Sequence, residues 1–191
     1  MLATQIQTRF NHPALIRVIS VAGFAALTAA SARLSINLPF TPVPITLQVL
    51  VVLLAGLALG ARDGAASQVV YVAAITVGLP LDARGLGPAV WAGPTAGFLP
   101  GFVFGAFVAG WLAEQGLRRS LVLRLVAGLA GVGVIYLFGV CWLSVGFLGN
   151  DLVKGWSLGA APFIAVDGAK AIIASGLAET AHRALTPGGV R

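Results

Sequence analysis

Asp167 and Lys170 are the residues whose types and spacing point most directly to chemistry in this 191-residue chain. They stand three apart inside an apolar run, so on a helix both project from nearly one face, within reach of each other. An ionisable side chain inside such a run is costly unless it meets a counter-charge, water or a ligand. Together they offer a carboxylate that accepts hydrogen bonds and an ammonium that donates them, which suits recognition of a small polar molecule. The competing reading puts both near the outer end of the helix, with Pro162 in its first turn, where they reach the interface without a ligand.

A second group lies in the stretch Gly78 to Gly101, GLPLDARGLGPAVWAGPTAGFLPG, the one long segment without apolar periodicity. Four prolines (Pro80, Pro88, Pro94, Pro100) and six glycines forbid a continuous helix there. A loop of that length in a compact protein is usually functional, and it is expected to be the lid or floor of a binding site. Asp82, Arg84, Trp91 and Thr95 are its candidate ligand contacts, the indole covering an apolar part of the ligand. The plainer alternative is an extramembrane connection with an interfacial tryptophan.

Other chemistries have little to stand on. No G-x-S-x-G elbow is present, and Ser144 and Ser175 sit in apolar runs that read as helix packing, so an enzyme is not expected. Gly93-Pro-Thr-Ala-Gly97 lacks the lysine of a phosphate-binding loop, so an energy-coupled function has to take its motor from another chain. The single cysteine, Cys141, reads as inert packing, and His12 and His182 lie at opposite ends, so neither a cofactor nor a metal is expected. The net charge of +6 comes without basic residues interleaved with aromatics, which argues for lipid and topology and against nucleic acid as the partner.

The elements that must position these residues are membrane helices. With 58% hydrophobic and 9% charged residues and a mean hydropathy of +0.96, the chain cannot coat a soluble globule. Apolar runs predict an all-α integral membrane protein, one domain over residues 1–191, with six transmembrane helices near 13–32, 47–60, 65–79, 98–114, 125–148 and 160–184. The first run is long for a signal peptide and reads as a span despite its Ala30-Ser31-Ala32 end. A tight polar turn is expected at Gly60-Ala-Arg-Asp-Gly64, a polar, glycine-broken loop at 146–156, and an extended, polyproline-like crossing at Asn37–Thr46. Arg9, Arg17, Arg62, Arg118, Arg119, Arg124, Arg183 and Arg191 fall on one side and only Arg33, Arg84 and Lys154 on the other. The positive-inside rule then puts both termini in the cytoplasm. Ala22, Ala26 and Ala30, four apart, leave one face of the first helix nearly bare, an invitation to another helix.

Three stretches also resemble a known family. PFTPVPITLQ (Pro39 to Gln48), GLPLDARGLG…GPTAGFLPGF (Gly78 to Phe102) and PFIAVDGAKA (Pro162 to Ala171) are similar to the signature segments of BioY, the biotin-binding S component of energy-coupling factor transporters. The resemblance covers nearly the whole chain. It implies six helices in the cytoplasmic (inner) membrane and capture of biotin from outside, with a transmembrane T component and paired ATP-binding-cassette ATPases as partners. Asp167 and Lys170 match the family's late acidic and basic pair, and Asp82, Arg84 and Gly93 to Gly97 its substrate-covering loop. Ala22, Ala26 and Ala30 match the small-residue motif that meets the T component. An S component for another vitamin, or an assembly protein without a ligand, is the alternative left open at this point.

Overall fold

The computed structural model describes residues 13–117 and 120–185. Arg9, His12, Arg118, Arg119 and Arg191, used above, lie outside the described residues. Among these residues the chain is mostly helical: α1 (Pro13–Ala32), α2 (Gln48–Leu59), α3 (Ala61–Thr76), α4 (Phe98–Glu114), α5 (Leu121–Phe147), α6 (Leu152–Gly159) and α7 (Ile164–Leu185). The segments Ala14–Ala32, Leu121–Phe147 and Leu152–Arg183 are each long and apolar enough to cross a membrane. The third of them is α6 and α7 joined through a 3₁₀ turn at Ala161–Phe163. At 12 residues α2 spans roughly 18 Å, well short of a bilayer's hydrocarbon core.

Several boundaries differ from the sequence expectation for local physical reasons. Gly60 alone, at φ 92°, turns the chain between α2 and α3, and residues 61–64 are already helix rather than a polar turn. Asp63 in the first turn of α3 suits the positive end of the helix dipole, and the Glu114 carboxylate accepts the Ala61 N–H at 3.0 Å. The polar stretch after α5 is not all loop. The Asp151 side chain caps α6 by accepting the Lys154 N–H at 2.9 Å, and that cap lets a short helix form there. The long loop ends at Gly97, because Pro100 falls in the first turn of α4, where a missing N–H costs nothing. Cys141, expected as packing, lies on the exposed face of α5.

The proline-rich segment after α1 is not a straight crossing. Two two-residue strands, β1 (Ser35–Ile36) and β2 (Ile45–Thr46), pair antiparallel with Ser35 opposite Thr46, so the prolines form the tip of a hairpin. Thr41 fastens that tip by donating to the Leu158 carbonyl of α6 at 2.6 Å.

Small residues set the helix spacing, as in membrane bundles generally. A Cβ on Gly105 of α4 would stand 3.0 Å from the Gly131 carbonyl of α5, and one on Gly131 would stand 2.9 Å from the Gly105 carbonyl, so the two backbones touch. Gly56 of α2 meets the backbone of Ala106 in α4 in the same way. On α1, Ala25, Thr28 and Ala32 are buried, whereas Ala22, Ala26 and Ala30 are exposed. Gln68 of α3 holds the inner face by donating to Thr28 Oγ1 at 3.2 Å.

Close approach of this kind predicts a sharp contrast between two glycines. Gly56→Ala forces α2 away from Ala106 and is expected to cost about 1–3 kcal/mol, the usual penalty of overpacking. Gly133→Ala, whose Cβ meets nothing within 4 Å, should leave the thermal unfolding midpoint in detergent unchanged.

Candidate functional site

A cavity opens at the end of the bundle that carries the hairpin and the long loop, and its empty space, open mouth included, is about 700 Å³. One wall comes from the hairpin (Val43, Pro44, Ile45, Thr46) and another from the loop (Asp82, Ala83, Arg84). Phe98, Leu99, Phe102, Ile135 and Phe163 supply apolar surface.

Asp167 and Lys170 line this cavity and are 4% and 5% exposed, so they do not reach out to an interface. Lys170 Nζ donates to Asp167 Oδ1 at 2.7 Å, and the Tyr136 hydroxyl donates to Asp167 Oδ2, also at 2.7 Å. Both carboxylate oxygens thus hold one strong bond each and keep a lone pair for a further donor. The i,i+3 spacing on α7 makes the ion pair, while Tyr136 arrives from α5.

The loop residues behave less uniformly. Asp82 lines the cavity, but its carboxylate is spent on its own loop, accepting the Arg84 N–H at 3.0 Å and the Gly87 N–H at 2.8 Å. Gly87 adopts φ 58°, which this turn needs. Arg84 is exposed at the rim and donates to the Pro42 carbonyl of the hairpin. Thr95 is half-buried and lines the cavity. Trp91 does not. Its indole donates to Thr76 Oγ1 at 3.1 Å and it borders an outer groove with Pro100 and Phe104, so the rings that line the cavity are Phe98, Phe102, Phe163 and the two tyrosines. The 3₁₀ turn at Gly87–Ala92 decides this by sending Val90 inward instead.

Two further ties hold loop and hairpin together. Arg33, just past α1, donates to the Pro80 carbonyl, and Ser35 Oγ donates to the Ala83 carbonyl at 3.4 Å. Sequence reasoning missed three residues here: Tyr136, Tyr71 and Gln48 all line the cavity. The available signal was chemical, since both tyrosines of the chain sit inside apolar helices where a phenol needs a partner.

A family model described as the BioY family matches residues 5–187. The chain belongs to the BioY family. Similar relatives include proteins named biotin transporter BioY from Rhizobium etli, 40% identical over 167 residues, and from Thermotoga maritima, 41% identical over 160 residues. Those matches cover 83% of this chain in each case, and 88% and 91% of the respective relatives. Among solved structures it is similar to the S-component for biotin from an ECF-type ABC transporter. The TM-score is 0.83 at 27% identity, covering 91% of this chain and 94% of that one. The BioY resemblance read from the three sequence stretches is therefore borne out.

The buried pair makes a stability prediction independent of any ligand. Asp167→Asn or Lys170→Met alone leaves one charge buried without its partner and should destabilise the protein by about 3–5 kcal/mol. The double variant removes both charges and should recover much of the thermal midpoint lost in either single variant, as read in detergent-solubilised protein.

Proposed function

We propose that this chain captures biotin and serves as the substrate-specific membrane subunit of an ECF-type transporter, not as an enzyme. The observation that carries the reading is a largely apolar cavity lined by the buried Asp167–Lys170 pair, in a chain 40% identical to a named biotin transporter. Biotin combines a ureido ring, an apolar bicycle and a carboxylate tail, and the cavity has matching parts. The spare lone pairs of Asp167 suit ureido N–H groups. Phe98, Phe102 and Phe163 suit the apolar bicycle. Lys170 is buried and already neutralised by Asp167, whereas Arg84 stands at the rim with its charge partly solvated, so Arg84 is the cation assigned to the carboxylate. Thr95 and the Asp82-built loop complete the wall.

The membrane topology proposed here has six crossings, with α6 and α7 counted as one, and both termini cytoplasmic. Ion pairs support the sorting of charge. Arg17 meets Asp63 at 2.6 Å, and Glu179 meets both Arg124 and Arg183, all at the bundle end opposite Arg33 and Arg84. Among the described residues Arg17, Arg62, Arg124 and Arg183 belong to that end and Arg33, Arg84 and Lys154 to the other, the direction the positive-inside rule expects of a cytoplasmic face. The exposed Ala22, Ala26 and Ala30 face of α1 is assigned to the transmembrane T component, which in turn works with paired ATPases.

Isothermal titration of detergent-purified protein tests the ligand. Biotin is expected to bind saturably at micromolar concentration or below, with riboflavin and thiamine failing to compete. Arg84→Gln should weaken biotin roughly 10- to 100-fold, the value of a charged hydrogen bond. Absence of a saturable signal would favour an assembly protein without a ligand.

Docking has its own test. Ala22→Leu with Ala26→Leu adds volume where two backbones approach, so co-purification of the T component and uptake in cells should fall sharply while biotin binding by the isolated chain is retained. Normal co-purification would remove α1 as the docking helix.

A further inference from the structure

The cavity holds a second polar group, on helices other than α7, that no expectation assigned. Gln48 opens α2, is 5% exposed and lines the cavity. Its amide Nε2 donates to the Tyr71 hydroxyl of α3 at 2.7 Å, and that hydroxyl donates to the Leu81 carbonyl at 3.3 Å. Tyr71 has one hydroxyl proton, which in this arrangement goes to Leu81, so Tyr71 accepts from Gln48 and the nitrogen of Gln48 is assigned toward Tyr71. The Gln48 carbonyl oxygen is then left over. It accepts no hydrogen bond from the described residues, and it is not among the fully enclosed atoms left without a partner, which are Gln68 Oε1 and Ser144 Oγ. In a buried residue lining the cavity, an acceptor with residual access faces the cavity.

We infer that Gln48 is a specificity-determining residue whose carbonyl oxygen accepts one ring N–H of the ligand, with Tyr71 as the positioning residue that holds the amide in that orientation. The inference rests on the biotin reading above and deepens it. A ureido ring has two N–H donors, and a single carboxylate at Asp167 already shares its oxygens with Lys170 and Tyr136. A second, neutral acceptor on another helix lets each N–H meet its own partner. It also disfavours ring systems that present an acceptor there, since two carbonyl oxygens would face each other without a proton.

The test is a ligand-by-protein cycle using biotin and the two lactam analogues in which one or the other ureido N–H is replaced by CH₂. The wild-type protein should bind the analogue lacking the Gln48-facing N–H roughly tenfold more weakly than biotin. In Gln48→Leu the two should bind within about twofold of each other, because the acceptor that told them apart is gone, while the other analogue stays disfavoured through Asp167. Tyr71→Phe keeps the ring and frees the amide, so it should reduce the same discrimination, with some loss of thermal midpoint from the unpaired Gln48 N–H. It also carries the test if Gln48→Leu fails to fold. Full wild-type discrimination in both variants, or in Tyr71→Phe alone if Gln48→Leu cannot be purified, overturns the inference. Failure of the wild-type protein to bind biotin at all overturns the underlying reading instead.

Discussion

A carboxylate and an ammonium enclosed in an apolar bundle are tolerated only as a pair, and much of the binding end of this protein is arranged around that constraint. Placing Asp167 and Lys170 three residues apart on α7 lets one helix satisfy its own charges. Tyr136 takes the second carboxylate oxygen, which ties α5 to α7 at the depth of the cavity floor. The pair is therefore both a structural fastening and the most polar surface available to a ligand. Those two duties are compatible because each carboxylate oxygen can accept more than one bond.

Above the pair, the non-helical backbone is secured by side chains rather than by sheet. Non-helical backbone enclosed by protein must find its partners there, and the hairpin and long loop meet that demand mutually. Arg33 bonds Pro80, Arg84 bonds Pro42, Thr41 bonds Leu158, and Asp82 gathers two N–H groups of its own loop. The glycines and prolines that make the segment look unstructured are what allow such tight turns, and the few polar residues among them supply the fastenings.

Composition and run length were enough to read a helical membrane protein, and the physical cost of an intramembrane charge was enough to single out Asp167 and Lys170. Helix ends were less legible, because polarity is an ambiguous sign. Gly60-Ala-Arg-Asp-Gly64 looks like a turn, yet only Gly60 leaves helical geometry, and Asp151 looks like loop but caps α6. Trp91, expected over the ligand, lies outside the cavity lining, where its neighbour Val90 takes the inward place. Tyr136 and Gln48 were missed for a different reason: a phenol in an apolar helix signals the need for a partner, but the partners lie 31 and 23 residues away, where no local window shows them.

Helix α1 joins two surfaces that are usually considered apart. Its outward alanines leave it free on one side, Gln68 grips it on the other, and Arg33 at its end is bonded to the loop that walls the cavity. The end of α1 is thus joined to the cavity mouth by a continuous set of bonds, from Arg33 to Pro80, within the loop through Asp82, and from Arg84 to Pro42 of the hairpin. The outer face of α1 and the mouth of the cavity therefore belong to one fastened unit, whereas the floor is held separately by Tyr136 and Lys170.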